Sequence, residues 1–188
     1  MTFTLLARDR ESGDLGIAVA SRYPAVGGVV PYFRAGVGLV ASQSYANAAL
    51  AETVLDLLSD GAPPAVAVAG ALEGREPAIR QVLVMTVAGE SAIYSGELCT
   101  AEVCESAGPG CIAAGNMLAD AGVGDAMIAA YVEHSANSMA ERLIHALRAG
   151  EQAGGDMRGR EAAAVRIWSH DYPHTSRLPL DLRADHDD

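Results

Sequence analysis

From Thr2 onward, apolar side chains occupy every second position, with Phe3, Leu5 and Ala7 set between Thr2, Thr4 and Arg8. The same period of two recurs beyond the turn-forming Glu11-Ser12-Gly13-Asp14, in Leu15-Gly16-Ile17-Ala18-Val19-Ala20-Ser21. Such alternation predicts a β-hairpin. Residues 26–33 and 36–43 read as two further strands joined at Arg34-Ala35. The period then changes. Leu50, Val54, Leu57 and Leu58 share one helical face, with a start near Asn47, a stop at Asp60-Gly61 and a second, shorter helix after Pro63. Strands return at 79–87 and 90–94, followed by a cysteine-bearing loop and a short strand near Ile112. Two more helices follow, one with Val123, Met127 and Tyr131 on a face and the next with Met139, Leu143, Ala146 and Leu147 on a face. Ser138 and Glu141 have the spacing of a capping box, and Gly150 is placed to end the helix. Gly154-Gly155-Asp156 turns the chain into a last strand, Ala162 to Trp168.

The resulting order, β-β-β-β-α-α-β-β-α-α-β, keeps helices apart from strands. It predicts an α+β protein of antiparallel sheets with helices packed outside, not a parallel sheet with alternating crossovers. Abundant alanine and glycine suit closely spaced layers, and the expectation is a four-layer αββα sandwich. With 188 residues, half of them hydrophobic, the chain can bury a full core as one domain over residues 1–168. Residues 169–188 are polar and contain proline, and read as a peripheral tail.

Charge and residue usage remove several functional classes. A formal net charge of −11 with no basic cluster argues against a nucleic-acid partner. All 13 basic residues are arginine, so a Schiff-base lysine, a phosphate-loop lysine and pyridoxal phosphate attachment are all absent. Cys99, Cys104 and Cys111 lack the paired spacing of a zinc site and read as free thiols of a reducing, cytoplasmic setting. No apolar run is long enough to span a bilayer, so no membrane partner is expected. His170-Asp171 with His174 reads as solvated tail in preference to a metal cluster, and neither metal nor cofactor is expected.

No histidine occurs in the first 133 residues, and there is no G-x-S-x-G elbow or H-E-x-x-H motif. A base for hydrolysis must then come from another group. Thr2 offers one, because removal of Met1 would make it the amino terminus, with a hydroxyl and a free α-amine on one residue. That amine titrates at about 7.7 to 8.0, close to the pH at which a general base is most useful.

Several blocks together resemble a bacterial and archaeal family known as domain of unknown function 1028. They are Met1-Thr2-Phe3-Thr4-Leu5-Leu6-Ala7-Arg8-Asp9, Gly16-Ile17-Ala18-Val19-Ala20-Ser21, Arg34-Ala35-Gly36-Val37-Gly38-Leu39-Val40-Ala41-Ser42-Gln43, Arg80-Gln81, Gly115-Asn116-Met117 and Gly154-Gly155-Asp156-Met157-Arg158-Gly159. The resemblance implies an N-terminal-nucleophile (Ntn) hydrolase-like fold. A more distant likeness to proteasome-type threonine hydrolases implies roles: Thr2 as nucleophile, Ser21 or Arg22 as the polar neighbour, Arg34 where those enzymes carry a lysine, and Asp156 as the acid ahead of the last strand. The glycine-rich turn that serves the oxyanion there falls near Ser42-Gln43-Ser44, which has no glycine. Ala114 and Glu161-Ala162 depart from the family pattern, which has glutamine before Gly115-Asn116 and a Gln-Ser pair near the last strand.

The expectation is therefore a metal-free amidohydrolase acting on a small-molecule or peptide amide, with catalytic Thr2, Ser21, Arg34 and Asp156. Substrate contacts are expected from Ser42, Gln43 and Asn116, and a homo-oligomer from the apolar helix faces. The alternatives are a non-catalytic ligand-binding protein with Arg34, Gln43 and Asn116 lining its pocket, or an assembly subunit on the same fold.

Overall fold

A computed structural model describes residues 2–169 and 180–185. Two antiparallel sheets lie face to face, each with a helix pair on its outer side. The larger sheet has the order β10-β9-β2-β1-β8-β7, formed by Leu180–Asp185, Ala162–Trp168, Leu15–Ser21, Thr2–Arg8, Cys111–Leu118 and Glu102–Gly108. The smaller has the order β3-β4-β5-β6, formed by Pro31–Arg34, Gly38–Ser44, Arg80–Thr86 and Ser91–Ser95.

Strand alternation generates the layers. In β1, Phe3, Leu5 and Ala7 point outward against α4 (Val123–Glu133) and α5 (Met139–Gln152), meeting Met127, Tyr131, Leu143 and Ala146. Leu6 points the other way and joins Ile17, Val19, Leu39, Leu83 and Met85 between the sheets. In β4 and β5, Val40, Val82 and Val84 face α2 (Ala48–Ser59) and α3 (Pro64–Leu72), covered by Leu50, Val54, Leu55 and Val68. The three apolar strata require both faces of the central strands to be buried, which is why these strands read as almost unbroken small apolar runs.

The caps follow the sequence. The Asn47 side chain accepts from Leu50 N–H at 3.0 Å at the start of α2, and the Ser138–Glu141 capping box opens α5. Gly150 does not end α5, which runs on to Gln152. Its missing side chain instead lets the helix approach the sheet, since a Cβ there would stand 2.9 Å from Met127 Cγ and 3.1 Å from Phe3 Cε2. The chain turns later, at Gly154 and Gly155, which adopt φ of 127° and 51°.

Three stretches differ from expectation. Residues 26–33 are not one strand: Val26–Val29 forms a helical turn, α1, and only Pro31–Arg34 is extended. Ala25 enters it at φ 55°, and Gly27 seats it against β9, where a Cβ would meet that of Ala164 at 2.5 Å. The region of the cysteines is a strand pair, β7 and β8, not a loop followed by a short strand. Within the expected tail, Leu180–Asp185 pairs antiparallel with β9 as an edge strand. His170, Asp171 and His174 lie outside the described residues. No helix among the described residues is long and apolar enough to cross a membrane.

Candidate functional site

The strand ends collect polar groups at one end of the sandwich. Thr2 opens β1 and Ser21 closes β2, side by side in the antiparallel register. Both are buried, and the Thr2 hydroxyl donates to Ser21 Oγ at 3.2 Å. Ser21 Oγ also accepts from Tyr23 N–H at 2.9 Å, so the hydroxyl is oriented by the chain that follows it.

Asp156 reaches this corner from the glycine turn after α5. It bridges to Leu118 at the end of β8, and its carboxylate accepts from Arg22 N–H at 2.8 Å through Oδ2. Oδ1 accepts from Arg158 N–H at 2.8 Å, and the Arg158 guanidinium closes on both oxygens at 3.2 and 3.3 Å. Asp156 thus clamps the segment leaving Ser21.

Beside Thr2 opens a cleft of about 650 Å³, bounded by Val26 and Val29 of α1 and Val30 just after it, by Gln43 through Ala46, and by Arg80 and Arg158. The valines recur at helical spacing, so the turn that replaced the expected strand supplies an apolar wall. Two cleft residues, Ser44 and Met117, hold φ of 69° and 52°. Non-glycine residues in that region are uncommon and cluster at functional sites. Ser44 therefore adopts the left-handed backbone that glycine usually supplies, at the place where a glycine turn was missing from the sequence.

Arg34 is not at this corner. It ends β3 opposite Gly38, whereas the cleft is at the Gln43 end of β4, about 17 Å away at the usual strand rise. Its guanidinium binds Asp56 at 2.6 Å and Glu52 at 2.9 Å on the exposed side of α2. Among the described residues, the cations at the cleft are Arg158 and Arg80. Arg80 is buried, donating to the carbonyls of Arg75 (3.0 Å) and Tyr45 (2.5 Å) and lying 3.4 Å from Glu76. Its signal in the sequence was the Arg80-Gln81 block, which carries no hint of register.

Ser42 is likewise displaced: it faces the helix layer, where its Oγ accepts from Asn47 N–H at 3.0 Å. Gln43 borders the cleft, but its amide is engaged between the sheets. There Thr4 Oγ1 donates to Gln43 Oε1 at 2.6 Å, and Gln43 Nε2 donates to Gln81 Oε1 at 2.8 Å. Gln81 Nε2 donates to Gly115 carbonyl at 3.0 Å and to Ser95 Oγ at 2.8 Å, and Asn116 Nδ2 donates to Gln81 Oε1 at 2.8 Å. Asn116 therefore belongs to a buried amide network and is absent from the cleft wall.

The three cysteines are buried and unbridged. Desolvation raises the Cys104 thiol and pushes Cys111 up to about 11, which keeps both protonated and poor nucleophiles at neutral pH.

The crystal structure of protein SPO2555 from Silicibacter pomeroyi, a DUF1028 protein, is similar to this chain at 34% identity with a TM-score of 0.88. The alignment covers 99% of this chain and 79% of that one. No curated protein matches the sequence. The model for the family of unknown function DUF1028 matches residues 2–188, and the chain belongs to that family.

Proposed function

We propose that the protein is a metal-free amidohydrolase of the N-terminal-nucleophile class, with Thr2 as nucleophile once Met1 is removed. The observation that carries this reading is the buried Thr2 hydroxyl, held 3.2 Å from Ser21 Oγ on the wall of a cleft sized for a small molecule. The sequence has no lysine, no histidine among the described residues lines the cleft, and the α-amine of the same residue is the base that needs neither.

In this mechanism the amine takes the hydroxyl proton as Oγ1 attacks the amide carbonyl. The C–N bond then breaks, the proton passes to the leaving amine, and water hydrolyses the Thr2 ester. Ser21 holds the hydroxyl, and Asp156 with Arg158 holds the chain beyond Ser21. We assign oxyanion stabilisation to backbone N–H groups of the segment 44–46, whose Tyr45 carbonyl is tied down by Arg80. Arg34 has no part in the chemistry.

Intact mass of the purified protein tests the first requirement, and is expected to show loss of Met1. On a panel of small amides and short peptides, Thr2→Ala is expected to lower turnover by about 10³-fold or more, with Thr2→Ser retaining part of it. Quantitative retention of Met1, or equal turnover by Thr2→Ala, ends the proposal.

A further inference from the structure

The amide network between the sheets fixes the orientation of every member. The carbonyl of Gly115 can only accept, so Gln81 presents Nε2 to it and Oε1 to the opposite side. That Oε1 must receive donors, so both Gln43 and Asn116 turn their amide nitrogens toward it. Gln43 Nε2 also lies 3.3 Å from the Ala114 carbonyl, which enforces the same sense. Asn116 is left with its carbonyl oxygen pointing away from the network. Among the described residues nothing donates to this Oδ1, although Asn116 is only 1% exposed. A buried acceptor without a donor costs about 1–3 kcal/mol, so an orphan at a candidate site calls for a ligand.

Its neighbour across the β1–β8 ladder is Thr2. Directly paired residues share a face of the sheet, with Cβ atoms roughly 4.5–5.5 Å apart. Cleavage of the Met1–Thr2 bond would exchange the single N–H of the Thr2 peptide for the two of an amine, or the three of an ammonium. New donors would thus be created beside the one acceptor that the network leaves open.

We infer that Asn116 Oδ1 is the acceptor for the free α-amine of Thr2, making Asn116 the positioning residue for the catalytic base. This rests on the hydrolase reading above. A hydrogen bond to one N–H fixes rotation about the N–Cα bond and hence the direction of the lone pair relative to the hydroxyl. It also favours the ammonium form over the amine. Gln81 holds Asn116 in the required sense, which gives the buried network a purpose beyond joining the sheets.

The experiment titrates the Thr2 amine by NMR in protein labelled with ¹⁵N-threonine and shown by mass to lack Met1. Asn116→Ala is expected to lower the midpoint by about one pH unit, and Asn116→Asp to raise it. The acid limb of the kcat/KM profile should move with the midpoint, a change that loose packing alone would not produce. The same midpoint in all three proteins overturns the assignment.

A crystal structure of the Met1-free wild type provides a test that requires no variant to fold. Thr2 N is expected within about 3.2 Å of Asn116 Oδ1. A different partner on Oδ1 overturns the assignment. If Met1 is retained, or Thr2→Ala turns over normally, the hydrolase reading fails and this inference with it. If Thr2 is essential and the midpoint does not respond to Asn116, only the role of Asn116 fails.

Discussion

Arg34 and Arg80 look alike in the sequence and have opposite positions in the fold. Arg34 stands at the far end of β3 with two exposed carboxylates, whereas Arg80 is buried against the cleft loop. Arg34→Ala should therefore leave activity unchanged and cost at most about 1 kcal/mol in thermal or denaturant unfolding, the range of exposed ion pairs. A large activity loss would return Arg34 to the site. The placement of Ser21 beside Thr2, and of Asp156 at the same corner, was legible because a strand end and a glycine turn locate them along the chain. Which way Ser42 points depends on its parity in β4: odd residues of that strand enter the sandwich, and Ser42 is even. Asn116 was legible as a polar residue near the site, but its orphaned oxygen follows from contacts with Gln81, 35 positions away in sequence.

Among the elements, the strongly periodic ones were readable: β1, β2, the four long helices and β9 all lie where the hydrophobic pattern put them. β8 was underestimated because Ile112-Ala113-Ala114-Gly115-Asn116 has few of the branched residues that mark strands; its small side chains let it sit between two buried faces. α1 was misread because three valines favour extension, while Gly27 and the packing on Ala164 select a helical turn. Glycines test the helix layers directly. Gly150→Val should destabilise by about 1–3 kcal/mol, because a Cβ there meets the fully packed Met127 and Phe3. Gly70→Ala, where a Cβ meets only the Leu57 Cδ1 methyl at 3.2 Å, should be neutral or stabilise by up to about 1 kcal/mol. Paired melting curves of the two variants check both, and equal effects would contradict this account of the packing.

At the scale of the whole molecule, the stratum between the larger sheet and α4/α5 buries three titratable groups, Cys104, Cys111 and Tyr131, and the last two are shifted furthest. Desolvation pushes the Cys111 thiol up to about 11 and the Tyr131 hydroxyl up to about 12, the latter against the opposing pull of Arg142, which lies 3.9 Å over its ring. Both folded values exceed the unfolded ones, so above pH 9 the unfolded chain releases protons that the folded chain retains. Their stabilisation is complete below that pH and is lost as pH rises toward 11 and 12, with a slope of up to about 1.4 kcal/mol per pH unit for each group. Cys111→Ala should flatten the alkaline limb of a denaturation series. An unchanged limb would show that Cys111 does not contribute. The sequence by itself determined the composition of the layers, because the hydrophobic period is a local property that each strand or helix carries alone. Tertiary structure alone decided the site. Register, strand parity and the meeting of β1, β2, β5 and β8 with the turn at Asp156 are relations between distant segments, and no single segment encodes them. They remove Arg34, bring in Arg80 and Arg158, and leave Asn116 with one open acceptor beside Thr2.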